Sequence, residues 1–273
     1  MSDLDVSEEL TTDLLVRFLR SEAGKFGFER VVCGLSGGVD SAVSVALAAR
    51  AFGPENVLGV MMPYLTSNPS SEADARLVAE ALGIEARKVD ISAMADGYLE
   101  EGGVSDRMRR GNVMARCRMI VLYDLSVECR DLVLGTSNKT EILLGYSTQW
   151  GDSASALNPL GDLYKHQVFQ LARYLALPPE VIDKAPSADL FEGQTDEDEL
   201  GFTYEAVDRL LVKMIDERWT EEALVNEGFE RSFVQLVAGR IAANQYKRLP
   251  PIIAKLGPRS VTHDFRYLRS WGR

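Results

Sequence analysis

The chain of 273 residues is poor in metal and disulfide chemistry: it has three cysteines, Cys33, Cys117 and Cys129, and two histidines, His166 and His263. No CxxC pair occurs and no cysteine stands near a histidine, which argues against a zinc centre and against a disulfide framework. Three scattered thiols fit a reducing compartment. Long apolar runs are missing too. No stretch approaches the roughly 18 residues needed to span a bilayer. The N-terminus, MSDLDVSEELTTDLLVRFL, is acidic and amphipathic and lacks the basic flank and apolar core of a secretory signal. Positive charge is also short, with 30 Lys+Arg against 41 Asp+Glu and a net charge of −11. That is the reverse of the balance expected of a protein that grips a nucleic-acid backbone. The expectation is a cytoplasmic protein with no membrane and no nucleic-acid partner.

The remaining composition is that of a globular chain: 46% hydrophobic, 26% charged and 8% aromatic. A chain of this length buries roughly three-quarters of its unfolded surface, and with no repeat or linker in view it is expected to form one domain over residues 1–273. Charge is unevenly spread. From Lys247 onward there are seven basic residues and one acid, Asp264. The tail at 247–273 either folds back on an acidic body or helps to bind an anionic substrate.

Patterning predicts a helix after Ser7, with Leu10, Leu14, Leu15 and Phe18 on its apolar face. RVVCGLS (30–36) reads as a strand and SAVSVALAARAFG (41–53) as a helix closed by Gly53–Pro54. NVLGVMMP (56–63) reads as a second strand, SSEADARLVAEALG (70–83) as a helix with a serine cap, and EARKVDI (85–91) as a third strand. A helix over 112–129 and a strand DLVLGT (131–136) follow. This alternation predicts an α/β fold, a doubly wound parallel sheet flanked by helices. Beyond residue 150 the pattern turns helical, at 161–177, 203–217 and 230–246, giving a helical C-terminal extension. The acidic stretch 189–201 between them reads as a mobile, solvated loop.

SGGVDSAV (36–43) lies between a predicted strand and a predicted helix. Gly37 and Gly38 let the backbone turn tightly and bring its N–H groups near an anion. Ser36 and Ser41 add hydroxyls, and the helix N-terminus adds unpaired N–H groups and a positive dipole end. A phosphate is the natural occupant. Asp40 would repel it unless a divalent cation lies between them. The turn matches neither GxxxxGK[ST] nor GxGxxG. Lys165, at the start of a helix, opposes the dipole there and so hints at an anionic partner. Glu141 lies beyond a strand end, where parallel sheets place ligand sites.

The hexad SGGVDS resembles the pyrophosphate-binding loop of the adenine-nucleotide α-hydrolase (PP-loop) superfamily, whose members cleave ATP between its α- and β-phosphates and adenylate an acceptor. Three more blocks narrow the resemblance to the ammonia-dependent NAD synthetases. They are GNVMARCRM (111–119), LGTSNKTEILLGYSTQWGDSASALNPLGDLYKHQVFQLARYL (134–175) and KAPSADLFEGQTDEDELGFTYEAVD (184–208). Together the four blocks cover nearly the whole chain in order.

The resemblance implies an ATP- and Mg²⁺-dependent carbon–nitrogen ligase of NAD biosynthesis, which amidates deamido-NAD with ammonia through an adenylated carboxylate. It implies catalytic roles for Asp40, Glu141 and Lys165, with Asp40 and Glu141 holding the metal. ATP would be bound by Gly34, Leu35, Ser36, Gly37, Gly38, Val39, Asp40, Ser41, Met62, Thr136, Lys165 and Ser187, and the dinucleotide by Arg116, Tyr246 and Lys247. It also implies a homodimer, with ammonia used directly or supplied by a separate subunit. The chain departs from the family pattern at Gln149, where lysine is common, at Ala156, where aspartate is common, and at Tyr246, where a His-Lys pair is frequent. All three fall on the acceptor side. The alternative is another PP-loop adenylating enzyme acting on a different carboxylate acceptor or on tRNA, though a tRNA thiolase would be expected to carry paired cysteines and a basic face.

Overall fold

The computed structural model describes residues 4–187, 189, 191 and 193–261. Its elements run α1 (Glu8–Gly24), β1 (Val31–Gly34), α2 (Val39–Phe52), β2 (Val57–Met61), α3 (Pro69–Leu82), β3 (Glu85–Lys88), α4 (Ser92–Glu101), α5 (Arg107–Cys129), β4 (Leu132–Leu134), α6 (Lys139–Leu144), α7 (Lys165–Tyr174), α8 (Pro179–Ile182), α9 (Asp196–Leu200), α10 (Tyr204–Leu211), α11 (Glu221–Asn226) and α12 (Arg231–Ala243). A π-helical turn, Val212–Asp216, extends α10.

The four strands form one parallel sheet in the order β3-β2-β1-β4. Strand residues alternate between two cores, as a pleated strand requires. Val31, Cys33, Val57 and Met61 pack with residues of α1, α2, α3, α7 and α8. Val32, Leu58, Val60 and Val133 pack on the other face with Ile91, Leu99, Met114, Cys117 and Val121 from the region of α4 and α5. A third core, including Leu144, Tyr164, Val207, Leu210, Leu211 and Val237, joins the C-terminal helices to α6. The predicted α/β class and the helical extension are therefore present. β3 is an edge, and its Glu85, Arg87 and Lys88 discourage further pairing.

Several expectations are corrected. α1 does begin after Ser7, but it buries Thr12, Leu19 and Ala23, with Val16 partly buried, on an i, i+4, i+7, i+11 face. Of the expected face, Leu15 packs against the core with Val16, while Leu10, Leu14 and Phe18 are exposed; counting leucines found only one edge of the buried side. The cap of α3 is Asn68, whose side chain accepts from Ser70 N, with Pro69 in the first turn. The helix placed at 161–177 starts at Lys165 and ends at Tyr174, and left-handed Ala176 turns the chain before Pro178. The stretch 189–201 is not loop throughout, since α9 occupies its second half and Asp196 is buried. Four short helices, α4, α6, α8 and α11, carried too little periodicity to be found.

The basic tail divides. Lys247 Nζ donates to the carbonyls of Gly145 and Ser147, both at 2.7 Å, and Arg248 donates to those of Ile142 and Leu143. The two cations thus satisfy the open carbonyls at the end of α6. Gly145, with φ 66, must be glycine there, because a Cβ would strike the Asn244 side chain. Arg266, Arg269 and Arg273 lie outside the described residues. No helix among the described residues is long and apolar enough to cross a membrane.

Candidate active site

The order 3-2-1-4 puts a crevice at the carboxyl ends of the strands, where the chain leaves β1 toward β2 on one side and β4 on the other. A cleft of about 1230 Å³ opens there, with a second cavity of about 340 Å³ beside it. Ser36, Tyr146, Asp152 and Ser187 line both.

The turn after β1 is built internally. Gly37 has φ 77, and a Cβ on it would collide with the Ser71 carbonyl, so only glycine fits. Ser41 Oγ donates to Gly38 O at 2.9 Å and accepts from Ser36 N at 3.2 Å. Ser36 Oγ accepts from Gly38 N at 3.3 Å. The first turn of α2 has no side-chain cap, so its N–H groups remain for a ligand. Gly38, Val39 and Asp40 line the smaller cavity; Gly34, Leu35, Met62 and Thr136 line the cleft. Ser41 and Gly37 line neither. Ser41 is buried and its hydroxyl shapes the turn.

Asp40, Glu141 and Lys165 come from three helices and meet. Lys165 Nζ lies 2.5 Å from Asp40 Oδ2 and 3.4 Å from Glu141 Oε1, and its side chain is 2% exposed. Asn138 fixes both acids. Its Nδ2 donates to Asp40 Oδ1 at 2.8 Å, its Oδ1 accepts from Glu141 N at 3.0 Å, and Glu141 Oε2 accepts from Asn138 N at 3.2 Å. The last two bonds form a capping box at the start of α6. Sequence reasoning missed Asn138, although the Asn-x-x-Glu spacing was the signal.

Burial, then the nearby Asp40 charge, push the Glu141 carboxyl up to about 8 against the help of Lys165. For Lys165, burial opposes the charge, but Asp40 and Glu141 outweigh it and hold the ammonium above the usual lysine range. Asp196, also missed, faces the same cluster. Its oxygens accept from Tyr146 and Tyr204, each at 3.0 Å, and the Tyr204 ring lies 4.8 Å from Lys165 Nζ. Burial raises the Asp196 pKa while Lys165 and the two tyrosines oppose the rise. Among the described residues no three His, Cys, Asp or Glu side chains converge as a metal cage. A cation held here would therefore share two carboxylates with ligand oxygens, which is how Mg²⁺ is commonly held on phosphates.

Ala156 lines neither cavity, but the other residues expected on the acceptor side lie together across the cleft. Arg116, Gln149, Tyr246 and Lys247 all line it. Arg116 Nη2 donates to Gln149 O at 3.1 Å, and Gln149 Nε2 reaches Tyr246 O at 3.5 Å. The Lys247 ammonium is already engaged by two carbonyls. Ser187, in the segment before α9, accepts from Asp189 N at 3.1 Å.

The family model described as NAD synthase matches residues 11–251. A relative from Trichlorobacter lovleyi, an NH(3)-dependent NAD(+) synthetase, is 53% identical over 100% of both chains. Among solved structures, an NH3-dependent NAD synthetase from Campylobacter jejuni is 33% identical, with a TM-score of 0.79, over 92% of this chain and 100% of that one. An NMN synthetase from Francisella tularensis is 31% identical, with a TM-score of 0.81, over 92% of this chain and 99% of that one.

Proposed function

The chain belongs to the NAD synthase family, and from that premise we propose how its site amidates deamido-NAD with ammonia at the expense of ATP. The observation that carries the proposal is the buried meeting of Asp40, Glu141 and Lys165 beside an uncapped helix N-terminus. A carboxylate is a poor electrophile. Attack of the nicotinate carboxylate on the α-phosphorus expels pyrophosphate and leaves an acyl-adenylate, and ammonia then displaces AMP to form the amide.

For this chemistry the protein positions reactants and offsets charge. Gly38, Val39 and the first N–H groups of α2 hold phosphate oxygens. Lys165 stabilises charge building on the departing pyrophosphate, and Thr136 and Met62 line the nucleotide site with Gly34 and Leu35. Asp40 and Glu141 would hold Mg²⁺: burial first, and then the Asp40 charge, raise Glu141, and a dication between the two carboxylates would offset both. When bound, Mg²⁺ would supply Lewis-acid polarisation of the phosphates. Arg116 and Tyr246 contact the dinucleotide acceptor.

We place the chain in the cytoplasm, as a single unit, on the strength of three free thiols and the span of its likeness to its relatives. A homodimer is supported by Ile120, Tyr123 and Val127, exposed apolar side chains that continue the face of Arg116 along α5. Ammonia is the nitrogen donor named for the relatives, and the separate ammonia-supplying subunit left open by the sequence is set aside.

The Francisella likeness supports a second acceptor, the mononucleotide acid, on the same machinery. One assay tests both. Purified protein with Mg-ATP, ammonium and either deamido-NAD or nicotinate mononucleotide is expected to form NAD and AMP in equal amounts from the dinucleotide. No amide product from either acid, or ADP in place of AMP, overturns the proposal. Preference for the mononucleotide replaces the acceptor alone.

A further inference from the structure

Arg116 and Arg118 stand two residues apart on α5, and residues at that spacing do not share a helix face. Arg116 is exposed at the rim of the cleft, whereas Arg118 is partly buried in its wall. Arg118 Nε donates to Met62 O at 3.1 Å, just past the end of β2. Among the described residues this is its one hydrogen bond, and no carboxylate pairs with it. Asp152 and Asp189 are its nearest acids, and both are otherwise engaged: Asp152 accepts from Thr148 N at 2.7 Å and Asp189 from Asn68 N at 3.0 Å. Burial pulls the Arg118 pKa below the usual arginine value, with Asp189 and Asp152 resisting.

A guanidinium has five N–H donors in a planar fork. Withdrawing such a group from water with one of its five donors bonded and no carboxylate paired is unfavourable, so the fork is held ready for an anion that arrives with the ligand. The triphosphate is not the best candidate. The smaller cavity, where the turn and Lys165 lie, is lined by Lys184 as well but not by Arg118. Arg118 instead lines the larger cleft just past the end of β2, where the charges of Asp189 and Asp152 act on it. The remaining anions of the reaction are the diphosphate and the carboxylate of the acceptor. A planar fork pairs bidentately with either, and of the two only the carboxylate differs between substrate and product.

We propose that Arg118 is the carboxylate-recognition residue of the acceptor site and pairs with the pyridine carboxylate of the substrate acid. The inference rests on the amidation proposed above. It gives the site a means to tell acid from amide. Once the carboxylate has become an amide its charge is gone and Arg118 no longer holds it, which favours release of product.

The test uses full-length protein with α,β-methylene-ATP and Mg²⁺, and calorimetric titration with deamido-NAD and with NAD. The two ligands share the diphosphate and differ at the carboxylate. In Arg118→Gln the affinity for deamido-NAD is expected to fall about 10- to 100-fold, with NAD affinity changed by less than about threefold on the same scale. If both affinities fall equally, or if neither does, the inference is wrong. Where a melting scan shows that Arg118→Gln does not fold, Arg118→Lys keeps the charge but loses the fork, and the same selective loss is expected at smaller size. Wild-type turnover is run in parallel. If wild type does not amidate deamido-NAD, the proposed function fails. If it does and the variant still discriminates, only the role of Arg118 fails.

Discussion

Asp208 receives the hydroxyl of Thr140 at 2.5 Å, and the same hydroxyl accepts the backbone N–H of Lys165 at 3.0 Å. The other oxygen of Asp208 accepts from His166 N at 2.8 Å. One fully buried carboxylate on α10 therefore ties the start of α7, which carries Lys165, to α6, which carries Glu141. Negative charge at a helix N-terminus is itself favourable. Asp208→Asn presents an amide donor to a backbone donor, so one of these bonds fails. We expect a loss of about 1–3 kcal/mol, a fall of several degrees in Tm at about 2–4 °C per kcal/mol, and kcat lowered about tenfold or more with little change in KM for ATP. Unchanged kcat in a folded Asp208→Asn would show that the brace does not position Lys165.

Lys165 holds the charge balance of the cluster. In Lys165→Met the two carboxylates lose their cation and face each other in a buried site, where like charges repel strongly. Turnover is expected to fall by about 10²–10³-fold. The vacated positive charge makes the pair a better place for a metal, so Mg²⁺ should raise Tm more in this variant than in wild type. A Mg²⁺ response smaller than wild type would separate Asp40 and Glu141 from the metal.

Much of this arrangement was legible before the structure. The strand, the Gly37–Gly38 turn and α2 could be read because glycine at a positive φ and a run of small apolar residues leave local marks. Asp40 and Lys165 stood out because local chemistry disfavoured them and Glu141 because a parallel sheet places ligands beyond its strand ends, but their roles came from the family resemblance of the blocks that carry them. Asp196 could not. It lies in a run of six acids within thirteen residues, and its burial depends on Tyr146, which is fifty positions away in the chain. Asp208 was hidden in the same way, since its partners Thr140 and His166 are distant in sequence. The outer leucines of α1 misled for a related reason, because periodicity finds an apolar stripe but not the side from which neighbours arrive. Lys247 was nominated for an anion; two of its three N–H donors go to backbone carbonyls that only the fold brings near, and it still lines the cleft.

Glu141 makes the stability of the metal-free enzyme depend on pH. Its folded-state pKa of about 8 lies above the usual carboxylate value. The folded state thus binds the proton more tightly than the unfolded chain. This contribution is complete below the unfolded pKa and is lost as pH rises through about 8. In EDTA, Tm is expected to drop from about pH 5 to about pH 8 and to level off above it, and Glu141→Gln, which cannot ionise, should flatten that drop. Added Mg²⁺ should also shrink it by favouring the ionised form. Identical profiles for wild type and Glu141→Gln would remove Glu141 as the source.

Gly37→Ala tests the turn by shape alone. The new methyl meets the Ser71 carbonyl at a φ of 77, so the turn must open or α3 must shift. Strain of about 1–3 kcal/mol is expected, with KM for ATP raised more than KM for the acceptor. Gly24→Ala at the end of α1, where a Cβ has open space, controls for the added methyl. Equal effects on both substrates would mean that the damage is global.

The α5 face can be tested apart from the chemistry. Val127 is 79% exposed, and with Ile120 and Tyr123 it makes an apolar stripe at i, i+3 and i+7 along one side of a 23-residue helix. Exposed apolar residues scattered singly need no partner, but a contiguous stripe marks an interaction surface. Arg116 lies one turn further along that face, so a second copy seated there would close against the acceptor side of the cleft. Val127→Asp places a charge at the end of this stripe on a side chain that already faces water, so the monomer bears at most the small cost of an acid in the last turn of α5. Light scattering is expected to show a dimer for wild type and a monomer for the variant, with KM for deamido-NAD raised and the Tm of the monomer nearly unchanged at matched low concentration. A variant that stays dimeric with wild-type KM would move the contact away from α5.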